Sequence, residues 1–193
     1  MAWTPKNGEL TIDFDQADLD HYRADDPTGR YFDVRWPRSI GKSHHGEFPL
    51  VVAREAFRRR GFTVWASEPE LPHDGGFILV AYPGKRERRH PAYERMVAMF
   101  GEATLRRLNR TADEEKERHS KSRGGGDPDL FVFRGEERYF VEMKWADHIT
   151  PKQDITFPLT EKHCGVPIRV ARIAPGKSQL PNIRMQPTRR GAL

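Results

Sequence analysis

The sequence predicts an α/β fold in which helices flank a mixed central sheet. Three observations lead there. Apolar runs of strand length alternate with segments of helical periodicity. The two clearest strands, 129–133 and 139–144, are joined by Arg134-Gly135-Glu136-Glu137-Arg138, a short polar loop with a glycine that reads as a hairpin turn. With 68–123 set aside, the elements run helix, strand, strand, strand, helix, strand.

The first helix is expected over 47–60, with Leu50, Ala53 and Phe57 on one face and Gly61 as its stop. Short strands follow at 62–67 and 76–82. The segment 91–100 is a clearer helix. Pro91 suits its first position, and Tyr93, Met96, Val97 and Phe100 recur at i, i+3, i+4 and i+7. The stretch 102–119 continues as helix and turns purely charged toward Lys121. After the hairpin, Thr150-Pro151 opens another helix, and 167–173 is a final strand. Pro158 falls inside that helix, where a proline is expected to kink or break it.

Three regions result. Residues 1–46 read as a polar arm packed across the domain, with strands at 9–14 and 31–36 as a competing reading. Residues 47–174 form the domain, with 68–123 as a helical insertion between its first two core strands. Residues 175–193 carry Pro, Gly, Ser, Gln and Arg with little apolar content, and read as a disordered basic tail.

At 193 residues the chain suits one domain. The single cysteine, Cys164, excludes an internal disulfide and argues against a thiolate zinc site. No stretch has the length and apolarity of a membrane span, so a cytoplasmic protein is expected. The net charge of +5 is uneven: −5 over 1–33, +6 over 34–174 and +4 over 175–193. Within the middle part, 83–123 holds twelve bases against seven acids. Lys85, Arg86, Arg88, Arg89, Arg106, Arg107 and Arg110 are therefore candidates for phosphate contacts. A merely solubilising surface is the competing explanation. Nothing suggests base readout.

The chemistry concentrates on the hairpin. Side chains alternate along a strand, so Tyr139, Val141 and Met143 point one way, and Phe140, Glu142 and Lys144 the other. Asp129 opens the preceding strand after Gly124, Gly125 and Gly126. In an antiparallel pair it should face Glu142 and Lys144. Two carboxylates beside an ammonium suit a hard divalent ion, Mg²⁺ or Mn²⁺, which prefers oxygen ligands. A Glu-x-Lys triplet alone proves little, because Glu114-Glu115-Lys116 also fits and reads as a solvated helix. An apolar strand with two charges on one face is the informative context.

These residues resemble the PD-(D/E)XK nuclease superfamily, and among its branches the VRR-NUC (virus-type replication-repair nuclease) domains. The resemblance covers about 47–67 and 124–173. Glu47 stands for the family's early helical glutamate. Gly126-Asp127-Pro128-Asp129-Leu130 and Glu142-Met143-Lys144 stand for its two strands. Thr150-Pro151-Lys152-Gln153 stands for the start of its next helix, and Gly165-Val166-Pro167-Ile168 for its last strand.

The resemblance implies a restriction-endonuclease-like core, αβββαβ, acting on DNA with Mg²⁺ or Mn²⁺ and leaving a 5′-phosphate and a 3′-hydroxyl. Asp129, Glu142 and the Met143 carbonyl would be metal ligands. Glu47 would hold a second metal or its water, with Glu55 as the weaker substitute and a helix-dipole acid as the structural alternative. Lys144 would orient the attacking water and stabilise phosphoryl charge. Gln153 joins the site, although Thr150-x-x-Gln153 is also a capping box. Asp127 is expected at the surface, close enough to be a stray ligand, His44-His45 in a surface loop, and His148 in a turn within reach of phosphate. A binding module that keeps the fold without cleaving is the alternative function.

Overall fold

In a computed structural model of the chain, the residues described are 4–5, 9–24, 26, 28–30, 48–67, 76–81, 90–121, 124–145, 148–176 and 180–185. They form a mixed α/β structure. The strands are β1 (Glu9–Phe14), β2 (Thr63–Ala66), β3 (Leu130–Arg134), β4 (Glu137–Lys144), β5 (Ile168–Pro175) and β6 (Asn182–Met185). The helices are α1 (Gln16–Arg23), α2 (Phe48–Arg59), α3 (Pro91–Phe100), α4 (Glu102–Arg118) and α5 (Pro151–Cys164). One sheet has the order β2-β3-β4-β5-β1-β6. β2, β3 and β4 form an antiparallel meander. β5 runs parallel to both β4 and β1, and β6 is antiparallel to β1.

Aromatic side chains identify what covers each face. Tyr139 packs against Phe57 of α2 and against Phe62, with ring centroids 5.9 Å away in both cases. The opposite face carries Trp65, Phe131, Phe133 and Phe140. Phe131 and Phe140 are cross-strand partners 4.7 Å apart. Phe77 and Phe100 close over that pair. Both come from the 68–123 stretch. Its described parts are therefore a layer of the core: Leu79, Met96, Leu105, Leu108 and Ala112 are all fully buried.

Several expectations are corrected. The arm 1–46 supplies a central strand, since Leu10, Ile12 and Phe14 of β1 are buried between β5 and β6. This follows the competing reading at 9–14; residues 31–36 lie outside those described. The segment 76–81 is buried but makes only an isolated bridge, Ala66 to Gly76, rather than a strand. Its N–H groups go to the Asp127 side chain and to the carbonyls of Ala66 at the end of β2 and Ala92 at the start of α3 instead of a ladder. The hairpin turn is only two residues, Gly135-Glu136, between the paired Arg134 and Glu137. Pro158 does not break α5, which runs unbroken from Pro151 to Cys164. Its ring lies on the exposed side, while Thr156, Phe157 and Thr160 hold the helix through buried contacts.

The tail is also corrected in part, because Asn182–Met185 completes the sheet as β6. Ile183 is buried, Arg60 donates to its carbonyl, and Arg184 pairs with Asp13. Deleting 177–193 should therefore destabilise the fold by about 2–3 kcal/mol from the lost burial of Ile183 alone. Urea denaturation followed by circular dichroism measures this. An unchanged midpoint would mean that the tail adds nothing to the sheet.

Candidate active site

The hairpin register sets the geometry. Leu130 pairs with Val141, so one further step brings Asp129 opposite Glu142. The Met143 N–H donates to Asp129 Oδ2 at 2.7 Å and fixes that carboxylate against the end of β4. Glu142 and Lys144 share the face of Phe140, and both are buried. The Lys144 ammonium lies 2.8 Å from Glu142 Oε1.

The start of α5 completes the arrangement. Thr150 is the N-cap: its hydroxyl accepts from the Gln153 N–H, and Gln153 Oε1 accepts from the Thr150 N–H. Both halves of the capping box are therefore made. This leaves the Gln153 amide nitrogen to donate to Glu142 Oε1 at 2.7 Å. Capping and contact with the carboxylate are two uses of one side chain.

Glu142 Oε1 thus has two donors, whereas its Oε2 is buried and without a hydrogen-bond partner. Such an atom in a polar cluster is costly. Burial pushes the Glu142 carboxyl up to about 8, and the nearby Asp129 carboxylate pushes the same way. Lys144 and Gln153 pull it back down. A cation placed against Oε2 would supply the missing partner and reverse this balance.

Among the described residues, no three His, Cys, Asp or Glu side chains converge as a metal group. The cluster offers two carboxylates and the backbone around Met143. This matches the habit of Mg²⁺, which is commonly held by one or two carboxylates, waters and substrate phosphate. Glu47 lies outside the described residues. Glu55 on α2 forms a loose pair with Arg59 at 3.8 Å, and its Oε2 is a buried atom without a hydrogen-bond partner.

The basic candidates divide. Lys85, Arg86, Arg88 and Arg89 lie outside the described residues. Arg106, Arg107 and Arg110 are exposed on α4, and Arg106 is paired with Glu102 at 2.6 Å. Arg107 lies at the far end of α5 from the acids. There burial, Lys162 and Arg107 together hold His163 below its usual pKa. The ten residues from Gln153 to His163 span roughly 15 Å of helix. The structure therefore does not bring Arg107 beside the carboxylates. Closer to the start of α5 is a cleft of about 550 Å³ between α4 and α5, lined by His119, Lys121, Pro151, Asp154 and Pro158 among others. His148 is exposed just before the Thr150 cap, and His44-His45 lie outside the described residues.

Two residues assigned to solvent have other roles. Asp127 is half-buried and accepts from the Leu79 and Val80 N–H groups at 3.1 and 2.7 Å. Lys116 is fully buried, so Glu114-Glu115-Lys116 is not a solvated segment throughout. A signal was present: Leu105, Leu108, Ala112 and Lys116 continue one helical stripe.

No family model, curated protein or solved structure matches the chain.

Proposed function

We propose that the chain is a metal-dependent nuclease that hydrolyses DNA phosphodiesters on a restriction-endonuclease-like core. The observation that carries this reading is the meeting of Asp129, Glu142 and Lys144, with a buried Glu142 oxygen left without a partner. The element order α2, β2, β3, β4, α5, β5 agrees with the αβββαβ pattern expected from the PD-(D/E)XK resemblance.

Asp129 and Glu142, with the Met143 carbonyl, would hold Mg²⁺ or Mn²⁺. The ion, when bound, supplies Lewis-acid stabilisation and a water acidic enough to be deprotonated near neutral pH. The chain's own groups do the rest. The Met143 N–H fixes Asp129, and Gln153 fixes Glu142. Lys144 presents a buried ammonium that can stabilise charge developing on phosphoryl oxygens, where low polarity strengthens it. Contacts to DNA would be to the backbone, so structure or ends would be recognised rather than sequence.

The test is incubation with linear, circular and branched DNA in Mg²⁺, Mn²⁺ or EDTA. Cleavage is expected with either metal, absent in EDTA, and reduced on the order of a thousandfold or more by Asp129→Ala. Cleavage indifferent to EDTA and to Asp129→Ala would overturn the reading. DNA binding without cleavage in either metal would favour a non-cleaving module of the same fold.

A further inference from the structure

The polypeptide that delivers Asp129 to the site is held from three sides. Gly124, Gly125 and Gly126 have φ values of +70°, +70° and +89°, a left-handed run open to glycine but strained for other residues. A backbone so permissive does not fix its own course, and surrounding groups must do so. From α5, the Thr156 hydroxyl donates to the Gly126 carbonyl. A Cβ on Gly126 would lie 2.7 Å from that hydroxyl, so the approach is close. From the 76–81 segment, Val80 accepts from the Gly125 N–H, and Asp127 binds back to Leu79 and Val80.

The third side is α4. The Lys116 ammonium is fully buried and donates to the carbonyls of Gly125 at 2.5 Å and Gly124 at 3.2 Å. One turn earlier, the buried Asp113 carboxylate accepts from the Gly124 N–H at 3.1 Å. Two ionisable side chains of α4 thus grip both the donor and the acceptor groups of the glycine run, and Lys152 of α5 adds a longer contact to the Gly124 carbonyl at 3.4 Å. A buried charge is costly to maintain for packing alone, since an apolar side chain of similar volume would fill the space. What the pair adds is a fixed backbone path four to five residues before Asp129.

We propose that Lys116, with Asp113, is a positioning residue for the Asp129 carboxylate, acting through the glycine run. The inference rests on the reading of Asp129 and Glu142 as the divalent-ion site. Without the ammonium, the run is held less tightly, and Asp129 is less firmly registered against Glu142 and Met143. Ion affinity and turnover then fall, while DNA contacts elsewhere are untouched. Partners that orient a metal ligand typically contribute 10–100-fold in affinity or activity.

The test measures Mn²⁺ affinity by electron paramagnetic resonance on the full chain, with kcat, KM for DNA and thermal unfolding alongside. Lys116→Met and Asp113→Ser are compared with Glu114→Gln, an exposed change on the same helix, and with Asp129→Ala. Folded Lys116→Met should bind Mn²⁺ about tenfold more weakly and lose kcat by a similar factor with KM unchanged. Asp113→Ser should shift both in the same direction, and Glu114→Gln should shift neither. A folded Lys116→Met or Asp113→Ser with wild-type Mn²⁺ affinity and kcat would overturn the role, as would failure of both to fold, which would make the pair a folding requirement. If Asp129→Ala itself keeps wild-type Mn²⁺ affinity, the metal-site reading fails instead.

Discussion

Glu142→Gln is expected to abolish metal-dependent DNA cleavage, by a factor on the order of a thousand or more, while leaving the metal-free fold at least as stable as before. The two halves of this outcome have one cause. The Glu142 side chain is only 2% exposed, and burial opposes its charge. An amide of the same shape keeps an oxygen for Lys144 and Gln153 but removes the disfavoured carboxylate. The change therefore relieves the apo protein and disables the metal-bound one. A purely structural ion pair behaves differently: removing one partner of a buried pair typically costs about 3–5 kcal/mol. Thermal unfolding with and without Mn²⁺, beside a cleavage assay, separates the two. A large loss of stability with cleavage retained would mark Glu142 as a structural partner of Lys144.

The second large effect is on pH. The Glu142 carboxyl is pushed up to about 8 by burial first and by Asp129 second. Its folded value lies above its unfolded value, so the stability it contributes is full below about pH 4.5 and is lost as pH rises through about 8. Ion binding has the opposite sign, because the ligand must be deprotonated. Mn²⁺ affinity should fall by up to about tenfold for each unit of pH below about 8, and binding at pH 7 should release close to one proton. Titration calorimetry in two buffers of different ionisation enthalpy counts that proton. A pH-independent affinity between 6 and 8, with no proton released, would contradict the environment assigned to Glu142.

The hairpin was the most legible part of the chain. Alternation along 139–144 made Glu142 and Lys144 co-facial, and strand antiparallelism set Asp129 beside the end of β4, where the Met143 N–H donates to it. The capping box was legible because its two residues are local. Tertiary partners obscured the rest. β6 is four residues long with Ile183 as its apolar anchor, too short for a periodic signal, and it forms because β1 offers an edge. β1 alternates correctly, but Asp13 and Glu9 made it look like a solvated arm. Those acids are met by Arg184 and Arg172, which the local sequence does not reveal.

The segment 76–81 misled in the other direction. Its apolar run has the composition of a strand, yet its Leu79 and Val80 N–H groups are taken by Asp127. Lys116 was hidden by the general rarity of fully buried lysine. Its two carbonyl acceptors arise only because the glycine run folds back beneath α4. For 76–81 the missing partner is distant in the chain; for Lys116 it is a nearby loop whose path is set by tertiary contacts.

The most direct test of the metal-site claim is anomalous diffraction from crystals soaked in Mn²⁺. A peak is expected between the Asp129 carboxylate and Glu142 Oε2, lost in Asp129→Ala. Manganese bound elsewhere with these two carboxylates vacant, or a peak at this position that persists in Asp129→Ala, would contradict that claim.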